Sequence, residues 1–186
     1  MNVKEQPQKR KEKKLPVYLT EEEVKSIFNI INSPRDLMLL QTMYYLGSRV
    51  NETIHINKSD IIFKEKLVIL RAENTKRKKE RHQPIPDNFM KPLQQYCDLL
   101  GDQATLFPLT KQRVWQIVKF YTKKAGITKQ VHPHTFRHSF ATQVYIKTDD
   151  IKLVQELLGH ENLSTTSIYT HLDTETKRKK LGGVFK

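Results

Sequence analysis

Between His132 and His171 the chain carries His134-Thr-Phe-Arg137-His138, then Leu158-Gly-His160, then Tyr169. One candidate nucleophile behind a guanidinium and several imidazoles suits attack on a phosphodiester. The phenol supplies the oxygen, and the cationic groups face the charge that grows on the phosphate oxygens as the new bond forms. Arginine serves better than lysine there, because its planar guanidinium stays charged and binds phosphate oxygens in pairs. The segment marks the chain as a candidate DNA-cutting enzyme.

Composition fits that chemistry. Over 186 residues, 33 Lys and Arg stand against 20 Asp and Glu, a net charge of +13. Such an excess points to a polyanion, nucleic acid or an acidic membrane face; a merely basic, solvated surface is the alternative. No apolar run approaches the roughly 18 residues of a spanning helix, and residues 1–14 lack the apolar centre of a signal peptide. The expectation is a cytoplasmic chain with no membrane partner. Cys97 is the only cysteine, which excludes an internal disulfide and favours a reducing compartment. With no Walker-type glycine loop, no cysteine pair and no acidic cluster at ligand spacing, neither a cofactor nor a metal is expected.

The elements that must position these groups can be read from caps and periodicity. Residues 1–14 form a basic arm of net +4, expected to be flexible, and a basic tail closes the chain over residues 173–186. Thr20-x-x-Glu23 is a capping box ahead of Val24, Ile27, Phe28 and Ile31 at helical spacing. Ser33-Pro34 opens a second helix that stops at Gly47, which places Arg49 just past a helix end. Asp60–Phe63, Leu67–Leu70 and His82–Ile85 read as three short strands of an antiparallel meander, with the basic run Thr75–Arg81 at a hairpin tip. Further helices are predicted over 88–100, with Pro92 near its first turn or kinking it, and from Thr110 to Gly126. Another over 134–146 buries Phe136, Phe140 and Val144 and sets His134 and Arg137 along one cleft. The last two span 150–158, closed by Gly159, and a short stretch after Ser164 that carries Tyr169. Trp115 is read as core or interface, and His55, His82, His132 and His171 as surface or packing residues. The fold class is mainly α with a small three-stranded antiparallel sheet.

Gly47-Ser-Arg49-Val-x-Glu52, Lys76 ahead of Lys79-Glu-Arg81 and a strand, His134-x-x-Arg137-His138, Leu158-Gly-His160 and Tyr169 nine residues later occur in that order. Together they resemble the catalytic domain of the tyrosine recombinases, the phage-type integrases and Xer-like recombinases, over roughly residues 16–172. The resemblance implies a catalytic domain over 15–172 that cleaves and rejoins DNA through a 3′-phosphotyrosyl intermediate without ATP or metal. Arg49 and Arg137 then hold the phosphate and Tyr169 attacks it. A phenol with an ordinary pKa of about 10 must shed its proton, which His134 can take directly or through water. The departing deoxyribose oxygen needs a proton, which suits Lys76 on the basic hairpin. His160 donates a hydrogen bond to the phosphate. Glu52 stands behind these groups, orienting Arg49 or a histidine, and His138 is either a supporting or simply a buried imidazole. Arg77, Lys78, Lys79 and Arg81 are candidate DNA-binding residues on the phosphate backbone.

The implied partners are double-stranded DNA and further copies of the chain, a homo-oligomer with four protomers on two DNA sites, compatible with a monomer when DNA is absent. In that picture the tail docks in trans, with Leu181, Val184 and Phe185 as anchors. Ser48 and Asn51 depart from the family pattern, which more often has an apolar and a small residue there. The resemblance also implies a helical core-binding domain ahead of the catalytic one, where this sequence has only the basic arm before Leu15. The expectation is either a piece of a longer protein or a minimal one. A type IB topoisomerase-like relaxing enzyme and a non-catalytic DNA-binding module of the same fold are the alternatives.

Overall fold

The computed structural model describes residues 17–75 and 79–159. The basic arm, Lys76, Arg77, Lys78, His160, Tyr169 and the tail lie outside the described residues.

Caps fix where the helices begin. Thr20 Oγ1 accepts from the Glu23 amide at 3.2 Å while Glu23 Oε2 accepts from the Thr20 amide at 2.8 Å, so the capping box opens α1 (Glu21–Asn29). Ser33 Oγ accepts from the Asp36 amide and Pro34 takes the first position of α2 (Pro34–Tyr45). Past α2 the chain reverses at Gly47, with φ of +56°, and a Cβ there would lie 2.8 Å from Phe140 Cε1. Only glycine meets both conditions without strain. Arg49 then stands at the N-cap of a five-residue helix, α3 (Val50–Ile54). Sequence periodicity predicts no element here, because a single polar turn is too short to show a period.

Strands β1 (Ile61–Ile62), β2 (Leu67–Leu70) and β3 (Arg81–Pro84) form the expected antiparallel meander in the order β1-β2-β3. The register pairs Leu70 with Arg81 and Val68 with Gln83. Alternate residues of a strand share a face, so Arg81 and Gln83 point the same way as the buried Val68 and Leu70. Thr75 closes the neck of the β2–β3 connection: its Oγ1 accepts from the Lys79 amide, and its single proton faces both Ala72 O and Lys79 O, at 3.0 and 2.9 Å.

The remaining helices are α4 (Asp87–Leu99), with Pro92 inside it, α5 (Lys111–Lys124), capped by Thr110, α6 (Pro133–Thr148) and α7 (Ile151–Leu158). Asp150 caps α7 through Oδ1, which accepts from the Lys152 and Leu153 amides, and Gly159 closes it at φ of +63°. Helix α2 packs against α1, α3, α4 and α6. Its Leu39, Leu40 and Met43 lie in one fully buried core with Phe89, Phe107 and Phe136. Each such side chain contributes about 1.5–3 kcal/mol relative to exposure. A smaller cluster of Ala141, Val154 and Leu158 seats α7 on α6, with Phe140 and Val144 half-buried against it rather than in the main core. Trp115 is 45 % exposed, one face stacked on His132 with ring centroids 4.8 Å apart and Lys119 Nζ 5.0 Å from its ring. Its place is therefore the surface, not the core.

Candidate active site

Glu52 is the centre of the site. It sits at the third position of α3, where its Oε2 accepts from the Arg49 amide at 2.8 Å and so ties the carboxylate to the start of its own helix. Its side chain has no exposed surface, and a bare carboxylate so placed would be strongly disfavoured without partners. Cations from separate parts of the chain supply them. Arg49 Nη1 donates to Oε1 at 2.7 Å, Arg81 Nη2 donates to Oε2 at 3.0 Å, and Arg137 Nη1 stands 3.9 Å from Oε2. Burial alone would raise the Glu52 pKa, but the Arg81 charge, the Arg49 amide and the charges of Arg137 and Arg49 outweigh it and hold the carboxyl below its usual range. Burial lowers the pKa of Arg81, yet an arginine remains charged at any ordinary pH. Three guanidiniums around one carboxylate leave a net charge of +2.

Arg137 is placed by main-chain carbonyls. Its Nη1 donates to Gly47 O at 2.6 Å and its Nη2 to Leu158 O at 2.5 Å, joining the turn before Arg49 to the end of α7. The arginines expected on the phosphate thus meet at one point, although the sequence places them in different halves. They differ in access, with the Arg49 side chain 24 % exposed and that of Arg137 3 %. His134 is exposed at the start of α6, while Arg137, three residues on, is buried. The His134 ring meets that of His138 edge to face, centroids 5.2 Å apart, one helical turn on. Burial, reinforced by charge at His134 and Arg137, brings the pKa of His138 down to about 4, so it is neutral at neutral pH.

Arg81 departs from its expected role. Sequence proximity groups it with Arg77, Lys78 and Lys79 as a DNA-gripping cation, but its side chain is only 11 % exposed and its donors point inside. Besides Glu52, Nη1 donates to Gln83 Oε1 at 3.0 Å and to Leu157 O. The cause is the strand register, which turns residues 81 and 83 inward. Alternation cannot reveal this from sequence, because residues 81 to 83 are all polar. Lys79, by contrast, is exposed. Asn51, a departure from the family pattern, braces the site as well. Its Nδ2 donates to Asn74 O at 2.8 Å and so ties α3 to the foot of the hairpin. Lys76, Arg77, Lys78, His160 and Tyr169 lie outside the described residues, and the geometry bears on the positions either side of them, Thr75, Lys79 and Gly159. Among the described residues no group of three His, Cys, Asp or Glu side chains could hold a metal, and no helix is long and apolar enough to cross a membrane.

The fold is that of the tyrosine recombinase catalytic domains. A crystal structure of XerA recombinase superposes with a TM-score of 0.81 at 31% sequence identity, over 92% of this chain and 66% of that one. XerH site-specific recombinase, in a post-cleavage complex with palindromic difH substrate, gives 0.76 at 26% identity, over 90% of this chain and 53% of that one. The chain belongs to the phage integrase family, whose model matches residues 17–176. A tyrosine recombinase of Thermosipho africanus is 41% identical over 173 residues, covering 89% of this chain and 60% of the relative. The chain thus spans about three fifths of that curated relative's length.

Proposed function

We propose that this chain is the catalytic domain of a site-specific DNA recombinase that cuts and rejoins strands by transesterification. Tyr169 Oη attacks the scissile phosphorus and the bond from phosphorus to the 5′ oxygen breaks, leaving a 3′-phosphotyrosyl link and a free 5′-hydroxyl. His134 takes the phenolic proton, directly or through water, and Lys76 protonates the departing oxygen. A 5′-hydroxyl from another strand then reverses the step. The link conserves the phosphodiester bond energy, so the cycle balances with neither a nucleotide nor a metal. Arg49, Arg137 and His160 meet the extra negative charge of the pentacoordinate state.

The observation that carries this reading is the convergence of Arg49 and Arg137 on Glu52, with a net positive charge left over. A protein that only gripped DNA would gain more from exposed lysines along the backbone than from a carboxylate-held Arg49 and a buried, carbonyl-anchored Arg137. The substrate is double-stranded DNA, handled in the cytoplasm, with Lys79 and its neighbours in the basic hairpin on the phosphates. Four copies on two sites, coupled through residues 173–186, complete the reaction. The apolar ends Leu181, Val184 and Phe185 complement an open groove of roughly 430 Å³ lined by Tyr44, Tyr45, Phe140, Val144 and Leu157.

The test is a suicide DNA substrate nicked beside the cleavage position, which traps the covalent adduct. Wild-type protein is expected to form it, and Tyr169→Phe to bind the same DNA without forming it. An adduct that persists in Tyr169→Phe would rule out the assigned nucleophile.

A further inference from the structure

We propose that Arg81 is a positioning residue for strand cleavage: by filling Glu52 Oε2 it holds Arg137 at the carbonyls of Gly47 and Leu158 and keeps it from closing to hydrogen-bond distance on that carboxylate. The inference rests on the function proposed above and goes beyond it, since Arg81 itself is withdrawn from the DNA. A carboxylate oxygen offers about two lone pairs, and the Arg49 amide at 2.8 Å and Arg81 Nη2 at 3.0 Å fill those of Oε2. Arg137 Nη1 is left at 3.9 Å, beyond hydrogen-bond distance, and makes its short contact with Gly47 O. Without Arg81, Oε2 keeps only the Arg49 amide, a half-filled buried acceptor with Arg137 as its neighbour. A shift of about 1 Å would bring this ion pair to hydrogen-bond distance and draw Arg137 from the carbonyls of Gly47 and Leu158 that aim it.

Charge leads to the same conclusion. Arg49, Arg81 and Arg137 around Glu52 sum to +2, while the reacting phosphate passes from one negative charge to about two as the fifth bond forms. Loss of Arg81 halves the positive charge facing that state. Arg81 also fastens separate elements of the site together, since Nη1 reaches both Gln83 on β3 and Leu157 O at the end of α7. Its Nε is buried with no hydrogen-bond partner among the described residues, and its Cδ lies 3.2 Å from where a Cβ on Gly159 would stand, so the turn after α7 closes directly over it.

The experiment compares wild type, Arg81→Met and Arg81→Lys on the nicked suicide substrate and on the same DNA with an uncharged methylphosphonate at the scissile position. With ordinary phosphate, Arg81→Met is expected to slow adduct formation about 100-fold, the usual effect of misplacing one charge-stabilising donor, and Arg81→Lys about tenfold. Affinity for DNA and its salt dependence should stay at the wild-type values, because no phosphate contact is lost. On methylphosphonate, where one negative charge is missing, the deficit of both variants should shrink to less than about threefold. Arg81→Lys carries the test alone if Arg81→Met does not fold by its thermal melt. Equal deficits on both substrates, or a fall in DNA affinity with a shallower salt slope, would overturn the proposal. A wild-type protein that forms no Tyr169 adduct would instead overturn the function on which it rests.

Discussion

Replacing Glu52 by glutamine keeps the shape of the side chain and removes its charge, which tests whether one carboxylate holds the site together. The side chain is fully enclosed, and its partners Arg81 and Arg137 are 11 % and 3 % exposed, so water cannot take its place. Removing one member of a buried ion pair typically costs about 3–5 kcal/mol, because the remaining charge stays buried and unpaired. Here the guanidiniums left behind would also repel one another. For a folded unit of this size that loss corresponds to a fall in Tm of about 6–20 °C. The pH dependence has a definite sign. The folded-state pKa of Glu52 is depressed, so its contribution is complete above the ordinary carboxylate range and is lost only as pH falls through the lowered value. The difference between wild type and Glu52→Gln, measured by urea denaturation followed by circular dichroism, should therefore stay flat from pH 8 to about 5 and shrink only in stronger acid. A difference below about 1 kcal/mol at pH 7 would mean that solvent screens the cluster as it does a surface pair, and the reasoning would fail.

Gly47→Ala should destabilise the protein by about 2–4 kcal/mol in the same assay, combining a left-handed backbone with a clash on Phe140; a loss under about 1 kcal/mol would show that the ring simply moves aside. His138 should titrate near 4 by NMR, and because a histidine with a depressed folded pKa stabilises only above its unfolded value, stability should decline by about 3 kcal/mol as pH falls from 6.5 toward 4. A titration midpoint near 6.5, or an unchanged pH slope in His138→Asn, would contradict this. Asn51→Ala unties the hairpin foot from α3, so cleavage should slow about tenfold with an ordinary 5′ oxygen leaving group but hardly at all with a 5′ sulfur, which departs without a proton. Equal slowing on both substrates would refute a role through the leaving group.

Helices with a capping residue are legible in the sequence: Thr20, Ser33 and Thr110 mark the starts of α1, α2 and α5, and Gly159 ends α7. The β-meander is legible as well, because β2 is nearly continuous apolar chain between polar turns. Helix α3 is not, since five residues give no period and its defining contacts lie within the Arg49–Glu52 turn. In the site, motif order points to Arg49, Glu52 and Arg137 and leads one to expect Glu52 to orient Arg49, with which the 2.7 Å contact agrees. Motif order cannot show that Arg81 and Arg137 reach the same carboxylate, because that depends on which way β3 faces and on where α6 crosses α2. Nor can composition tell a cation that grips DNA from one that braces the interior. Arg81 has the same charge as Lys79 and flanks the same Glu80, and what separates them is that β3 begins at Arg81, which leaves Lys79 outside the strand and exposed.

The sharing of one carboxylate by several arginines also bears on how this site can change over evolutionary time. Groups that act on one partner are not independent, so the effects of altering Glu52, Arg49, Arg81 and Arg137 should not add. A lineage that lost Glu52 alone would leave three guanidiniums facing one another without their carboxylate, and one that lost Arg81 alone would leave a buried carboxylate oxygen short of a donor. Joint replacement of Glu52 and Arg81 by uncharged residues of similar volume takes one cation away with the carboxylate, which lessens the repulsion left behind. The cluster is thus a ratchet on sequence drift: its members can be exchanged in pairs far more readily than one at a time.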